Sequence, residues 1–300
     1  MAPPGLAAAH MPRPIARDPS GISNLGAFVL LLIALAFLTA SWYVFFVPGA
    51  GPEVLRAEDG DRLSVDYIGY FQDTNLVFDT SLESVATDNA SWPKAVSFTW
   101  RARWQPLPVT VGPESGVVEG FNDGLLGLAR GASKTLVIPA DLGYGASDPS
   151  KISVRPILES VAVRLTMNAT EFQTRYNALA SSGANVTDPF WGWDAIVEVA
   201  GSVVTVTNSP DLHEIVRPHD AWDAQIVGID DTANGGEGVI LVRHLIEEED
   251  SNRLGGTSGG EPFYVSKVDL DAGTYTMDFN REVVGRTLIF QVTIVILVRI

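Results

Sequence analysis

The run GVVEGFNDGLLGLARGASKTLVIPADLGYG, residues 116–145, changes its periodicity once along its length. In the first half, apolar side chains recur at Val118, Phe121, Leu125 and Leu128. Spacings of three and four predict a short amphipathic helix over 117–130, stopped by Gly131. Residues 134–139 (KTLVIP) then read as a short strand. Outward from this pair, 62–69 (RLSVDYIG) alternates as a half-buried strand does, and 109–112 (VTVG) is a further short strand. The C-terminal stretch 286–299 (RTLIFQVTIVILVR) is strongly β-branched. Its first half alternates, with Leu288, Phe290 and Val292 on one face and Thr287, Ile289 and Gln291 on the other, so it reads as a core strand.

The middle of the chain has another texture. Residues 168–179 (NATEFQTRYNAL) look helical, with Asn168 or Thr170 as the cap. Strands are expected at 194–200, 202–207, 223–229 and 238–245, with Gly201 in the first turn. Residues 247–260 form a charged, Gly-rich connection. The sequence holds no internal repeat.

Near the N-terminus, residues 25–47 (LGAFVLLLIALAFLTASWYVFFV) run without a charge. At ~1.5 Å rise per residue they make roughly 34 Å of helix, enough to span a ~30 Å hydrocarbon core with some tilt. Trp42 and Tyr43 lie near one end, as interfacial aromatics do, and Pro48 and Gly49 end the helix. A cleaved signal peptide is the competing reading, but its apolar region is usually about 7–15 residues. Arg13 and Arg17 precede the run, while Glu53, Glu58, Asp59 and Asp61 follow it. The positive-inside rule then puts a disordered tail, 1–24, in the cytoplasm and residues beyond 50 outside the cell membrane.

Composition narrows the function classes. The chain has 300 residues, 46% of them hydrophobic, which supports a packed core. The net charge of −16 argues against nucleic-acid binding, since such a surface repels phosphate backbones. Without cysteine, disulfides, thiol catalysis and Cys-ligated metals fall away. His10, His213, His219 and His244 are scattered, with no helical pair, and read as structural. No metal and no cofactor are expected.

Several segments together resemble the FKBP-type peptidyl-prolyl isomerases. They are 61–69 (DRLSVDYIG), 77–81 (VFDTS), Val111-Gly112, 116–131 and 134–145, in that order and spacing. A second run, 277–290 (MDFNREVVGRTLIF), resembles the ending of the SlyD-type branch, in which a second domain is inserted in the flap after the Tyr-Gly. The resemblance covers 59–145 and 275–297. It implies an α+β fold: an antiparallel FKBP-like half-barrel wrapping a short helix, with a mainly β insert. The boundaries are 52–145 for the first part of that domain, 146–273 for the insert and 274–300 for the last strands.

By the same resemblance, Tyr67, Phe78, Val117, Val118, Phe121, Tyr144 and Phe290 form the walls and floor of a pocket. Asp79 is the edge carboxylate that accepts hydrogen bonds. The Tyr144 hydroxyl and the Val118 N–H hold substrate carbonyls. Leu107 stands where an aromatic wall residue is frequent. The chemistry needs no nucleophile, metal or proton donor. Rotation about X–Pro has a barrier of about 18–20 kcal/mol because amide resonance must be broken. A dry aromatic pocket that favours the twisted amide suffices, at ~1.4 kcal/mol for each tenfold in rate. The implied partners are unfolded or proline-containing polypeptides, with the lipid bilayer met through 25–47.

The chain departs from the pattern in two places. Residues 82–108 are longer than a minimal member has there and carry Trp92, Phe98, Trp100 and Trp104, either local core or a contact surface. The insert is also unusually large, with Phe190, Trp191, Trp193 and Trp222 as candidate contacts for extended chain or as its own core. Asn89, Asn168 and Asn185 open N-x-S/T sequons and are candidate glycan sites. The function expected is a membrane-anchored, extracytoplasmic prolyl isomerase whose insert binds unfolded chain. The alternative is a non-catalytic cell-surface protein that docks one partner.

Overall fold

The computed structural model describes residues 24–46 and 54–300, which fall in two separate units divided at Val54. In the first unit, α1 (Asn24–Phe46) forms over the uncharged run, and Val47 lies outside the described residues. Its described side chains, 28–43, are all exposed. Among the described residues no helix is long and apolar enough to cross a membrane. The 1–24 tail, apart from Asn24, and His10 lie outside them as well.

In the second unit the N-terminal strands are β1 (Arg62–Phe71), β2 (Val77–Thr80), β3 (Leu107–Thr110) and β4 (Ser133–Ile138). Thirteen further strands follow. They are β5 (Ile152–Pro156), β6 (Leu158–Ala162), β7 (Arg164–Asn168), β8 (Asn185–Thr187), β9 (Asp194–Ala200) and β10 (Val203–Asn208). Then come β11 (Ile215–Val216), β12 (Ala224–Asp230), β13 (Val239–His244), β14 (Gly255–Ser258), β15 (Glu261–Asp269), β16 (Thr274–Asp278) and β17 (Leu288–Val298).

The first sheet runs β2-β1-β17-β4, with β3 also paired to β1, and every pairing is antiparallel. The last strand in sequence is thus central in space. The alternation of β17 holds through Ile294, which puts Leu288, Phe290 and Val292 inward. The register then shifts: Ser64 pairs with Ile296 and Val65 with Ile294, so Val295 is the extra residue of a β-bulge. Beyond it Leu297, of the opposite parity, faces the core.

Helix α2 (Glu83–Thr87) is a single turn in the extra segment. Helix α3 (Glu119–Leu125) lies on the inner face of the sheet and buries Phe121 and Leu125, four residues apart. It is shorter than the 117–130 read from the sequence. The chain leaves it at Leu126, where Gly127 takes φ +75° and donates its N–H to Ala57, while Ala57 donates to Leu128. Leu128 still packs on the core, but from a turn. Gly120 and Gly124 face β4, where a Cβ would come within 2.6 Å of Ile138 and 2.5 Å of Leu136. Their missing side chains let the helix close on the strand.

Between β4 and β17 lie three four-stranded sheets: β7-β10-β9-β8, β11-β12-β13-β6 and β14-β15-β16-β5. Each has its own apolar cluster. Helix α4 (Ala169–Tyr176) is opened by a capping box in which Asn168 and Glu171 bond each other's backbone N–H. Its Phe172 is buried against Val197, Val204 and Val206. Trp191, Trp193 and Trp222, candidate contacts on sequence grounds, are buried in the sheets' own cores. Phe190 is 37% exposed. Residues 274–278, grouped with the last strands in the sequence reading, pair as β16 with β15 and β5, so of 274–300 only β17 joins the first sheet.

Candidate functional site

The concave side of the first sheet and the start of α3 enclose a cavity of ≈ 340 Å³. All eight residues singled out by resemblance line it: Tyr67, Phe78, Asp79, Val117, Val118, Phe121, Tyr144 and Phe290, joined by Leu107 and Gly116. Strand register explains the meeting of residues far apart in sequence. Gly69 on β1 pairs with Phe290 on one side and Asp79 on the other. A Cβ at Gly69 would come within 2.8 Å of both the Phe290 and the Phe78 rings. The glycine therefore makes room for those two rings to meet edge-to-face at 5.4 Å. Phe121 meets Phe290 at 5.0 Å and Tyr67 at 6.2 Å, again edge-on. Edge-to-face pairs of this kind contribute about 0.5–1.5 kcal/mol each beyond their burial, so the floor is held stiff.

The rim is polar. The Tyr67 hydroxyl donates to Asp79 Oδ2 at 2.7 Å. Burial, then the charge of Asp79, pushes the Tyr67 hydroxyl well above the usual phenol range, so it stays a donor. Asp79 Oδ1 accepts from the Thr80 N–H at 2.9 Å and from Arg101 Nη2 at 2.5 Å. Arg101 Nη2 also lies 3.1 Å from the Tyr67 oxygen, and Nη1 donates to the Thr80 carbonyl at 3.3 Å. Both members of the Arg101–Asp79 pair are more than a third exposed, so its worth in stability is small, ~0–1 kcal/mol. Its effect is orientation: Tyr67, Thr80 and Arg101 hold the carboxylate from three sides.

Two donors remain. Val118 is the cap of α3, and its carbonyl accepts from Phe121 at 3.0 Å and Asn122 at 3.1 Å. Its own N–H makes no hydrogen bond among the described residues, nor does the Tyr144 hydroxyl. Tyr144 is 39% exposed and is held by its neighbour: Gly145, at φ +81°, donates to Ala140 at 2.7 Å and accepts from Gly285 at 2.8 Å. Among the described residues no group of His, Asp or Glu is placed to hold a metal ion.

Arg101 was not found from the sequence. It stands 22 residues from Asp79 in the segment 82–108, where no periodicity marks it. That segment divides in two. Trp92 and Phe98 pack, half-buried, on the outer-face cluster of Ile68, Val77 and Val85. Trp100, 59% exposed, and Trp104 gather around Phe98. The segment leaves the cavity open and sends Arg101 to its rim.

An aromatic cavity with free donors at its edge can take a proline ring, hold neighbouring carbonyls and exclude water from the amide, favouring a less polar, twisted C–N bond. Comparison with known proteins points the same way. Residues 54–159 match the family described as FKBP-type peptidyl-prolyl cis-trans isomerase. A short-type peptidyl-prolyl cis-trans isomerase of Methanocaldococcus jannaschii is 33% identical over 97 residues, covering 32% of this chain and 56% of the relative. FK506-binding protein 2 of Kluyveromyces lactis is 32% identical over 92 residues, 31% of this chain and 51% of the relative. An FK506-binding protein of Neisseria meningitidis serogroup B is 30% identical over 98 residues, 33% of this chain and 68% of the relative. The chain thus spans about half the length of the archaeal and yeast relatives.

Proposed function

Because the chain belongs to the FKBP-type peptidyl-prolyl cis-trans isomerase family, we propose that it catalyses the cis–trans interconversion of X–Pro bonds in polypeptides. One observation carries the reading: Tyr67, Phe78, Phe121 and Phe290 build a single aromatic cavity, open at a rim where Asp79 is held by Tyr67 and Arg101. In this mechanism the proline ring sits on the three phenyl rings. The Val118 N–H and the Tyr144 hydroxyl hold the flanking carbonyls, and the dry floor favours the twisted amide over the planar one. No proton is transferred and no covalent bond forms.

Three finer features extend the proposal. The three small sheets between β4 and β17, and the 277–290 run, support a SlyD-type branch whose insert receives unfolded chain. The uncharged run 25–47, folded as α1 over Asn24–Phe46, supports a membrane anchor. The Arg13/Arg17 bias supports an extracytoplasmic catalytic domain.

A protease-coupled prolyl tetrapeptide assay on the full chain tests the activity. Turnover above the uncatalysed rate is expected, with kcat/KM lowered about tenfold or more in Asp79→Ala, a loss of ~1.4 kcal/mol of transition-state stabilisation. No acceleration by the unaltered chain would leave the alternative, a non-catalytic docking protein. Full activity in both Asp79→Ala and Tyr144→Phe would mean the pocket is elsewhere.

A further inference from the structure

A second cavity, of ≈ 460 Å³, adjoins the first and shares Phe78, Asp79 and Tyr144 with it. Its far wall comes from β15 and from the strap after β16: Pro262, Phe263 and residues 279–283. The two cavities lie on either side of Phe78, Asp79 and Tyr144, within reach of one extended peptide, so a chain whose proline occupies the first can place neighbouring residues in the second. Four charged groups line that second cavity: Asp79, Arg101, Glu282 and Arg281. Three are committed within the protein. Asp79 and Arg101 pair with each other. Glu282 is buried, accepts the Ser97 N–H at 2.8 Å and lies 3.6 Å from Arg286.

Arg281 differs. It is exposed, and its guanidinium lies 5.1 Å from the centre of the Tyr144 ring. Among the described residues it makes no ion pair and no side-chain hydrogen bond. Stacking on the ring that divides the two cavities restrains the planar group while leaving its N–H fork free. A fork of this shape matches a carboxylate, with two parallel N–H···O bonds. The chain's net charge of −16 opposes anions at long range, so any attraction here is local to the groove. We infer that Arg281 makes the site select proline segments that carry an acidic side chain within two residues of the proline. This rests on the isomerase reading and adds a substrate class to it.

The test uses the full chain and matched, C-terminally amidated peptides with Glu, Gln or Lys at each position within two of a single proline, and the Gln peptide also as its free acid. Binding is read by fluorescence anisotropy and turnover by exchange NMR. At one position at least, the Glu peptide should exceed the Gln peptide about fivefold, the range of a partly exposed charge pair. The advantage should shrink on raising salt from about 0.05 to 0.5 M. In Arg281→Gln the Glu-to-Gln ratio should fall to about one, and in Arg281→Glu the Lys peptide should gain. Equal behaviour of Glu, Gln and Lys peptides at every position, or an advantage that survives Arg281→Gln, overturns the inference. So does an advantage confined to a free-acid Gln peptide, which would mean capture of a chain terminus. Glu-over-Gln binding without any exchange would uphold Arg281 and reject the isomerase reading.

Discussion

Gly69 has no chemistry of its own, yet the cavity depends on it. Its neighbours across the strands are Phe290 and Asp79, and two aromatic rings occupy the space a methyl group would need. Gly69→Ala should therefore destabilise the protein by about 1–3 kcal/mol, the usual cost of overpacking, and lower kcat/KM by displacing Phe78 or Phe290. A variant with unchanged thermal midpoint and unchanged turnover would show that the rings are not packed this tightly. Tyr67, Phe78, Asp79, Phe121 and Tyr144 could be picked out in the sequence because they stand inside short, ordered motifs. Arg101 could not, since its role comes only from the path of a segment with no periodic pattern.

At the scale of elements, the segment between β4 and β17 is stapled at its two ends. Asn280 accepts the Asp148 N–H at 3.0 Å and donates to Ser147 and to the Asp148 carbonyl. Gly285 donates to Gly145 at 2.8 Å. All the residues lining the first cavity lie outside 149–278. Replacing 149–278 with a short Gly-containing loop should spare most turnover of a tetrapeptide. It should reduce catalysis of a proline-limited refolding reaction by about tenfold or more, since a second contact raises the effective concentration of prolines near the pocket. Equal losses in both assays would make the insertion part of the pocket, and equal retention would remove its role in binding unfolded chain. The cut points come from strand pairing: an excision ending at residue 272 would leave β16 without β15 and β5.

For the molecule as a whole, acid sensitivity and topology are the accessible tests. His219, at φ +60°, sits among the rings of Phe190, Trp222 and Phe263, and its Nδ1 has no partner among the described residues. Burial holds its pKa below the ordinary 6.5, with His244 and Arg155 lowering it further and Glu159 raising it. The folded value lies below the unfolded one. Stability is therefore full above about pH 6.5 and is lost as pH falls from there through the folded value. Between about pH 7.5 and 5.5 the thermal midpoint should fall less in His219→Asn, which tolerates the left-handed backbone, than in the unaltered chain. An identical fall in both would place the acid sensitivity elsewhere. For topology, protease added to intact cells should digest the chain beyond residue 50. Protection in intact but not lysed cells would reject the extracytoplasmic placement.

Local pattern placed eight of the seventeen strands but missed β5–β8, β11, β15 and β16 and read β14 as part of a Gly-rich connection, while β2 and the candidate site came from the motif resemblance. Alternation placed β1 and the first half of β17, because a strand half-buried in a sheet writes its two faces into the sequence at a period of two, and β9, β10, β12 and β13 were read as strands between turn residues. The motif residues around Asp79 and Tyr144 carried the pocket. The tertiary structure decided what depends on partners far along the chain. It set β17 between β1 and β4, shifted its inward face at the Val295 bulge, ended α3 at Leu125 and sent Trp191, Trp193 and Trp222 into local cores. It also brought Arg101 to Asp79 and set Arg281 over Tyr144, without an ion pair among the described residues. Each of these is a choice among partners of similar local preference, and only long-range packing distinguishes between them.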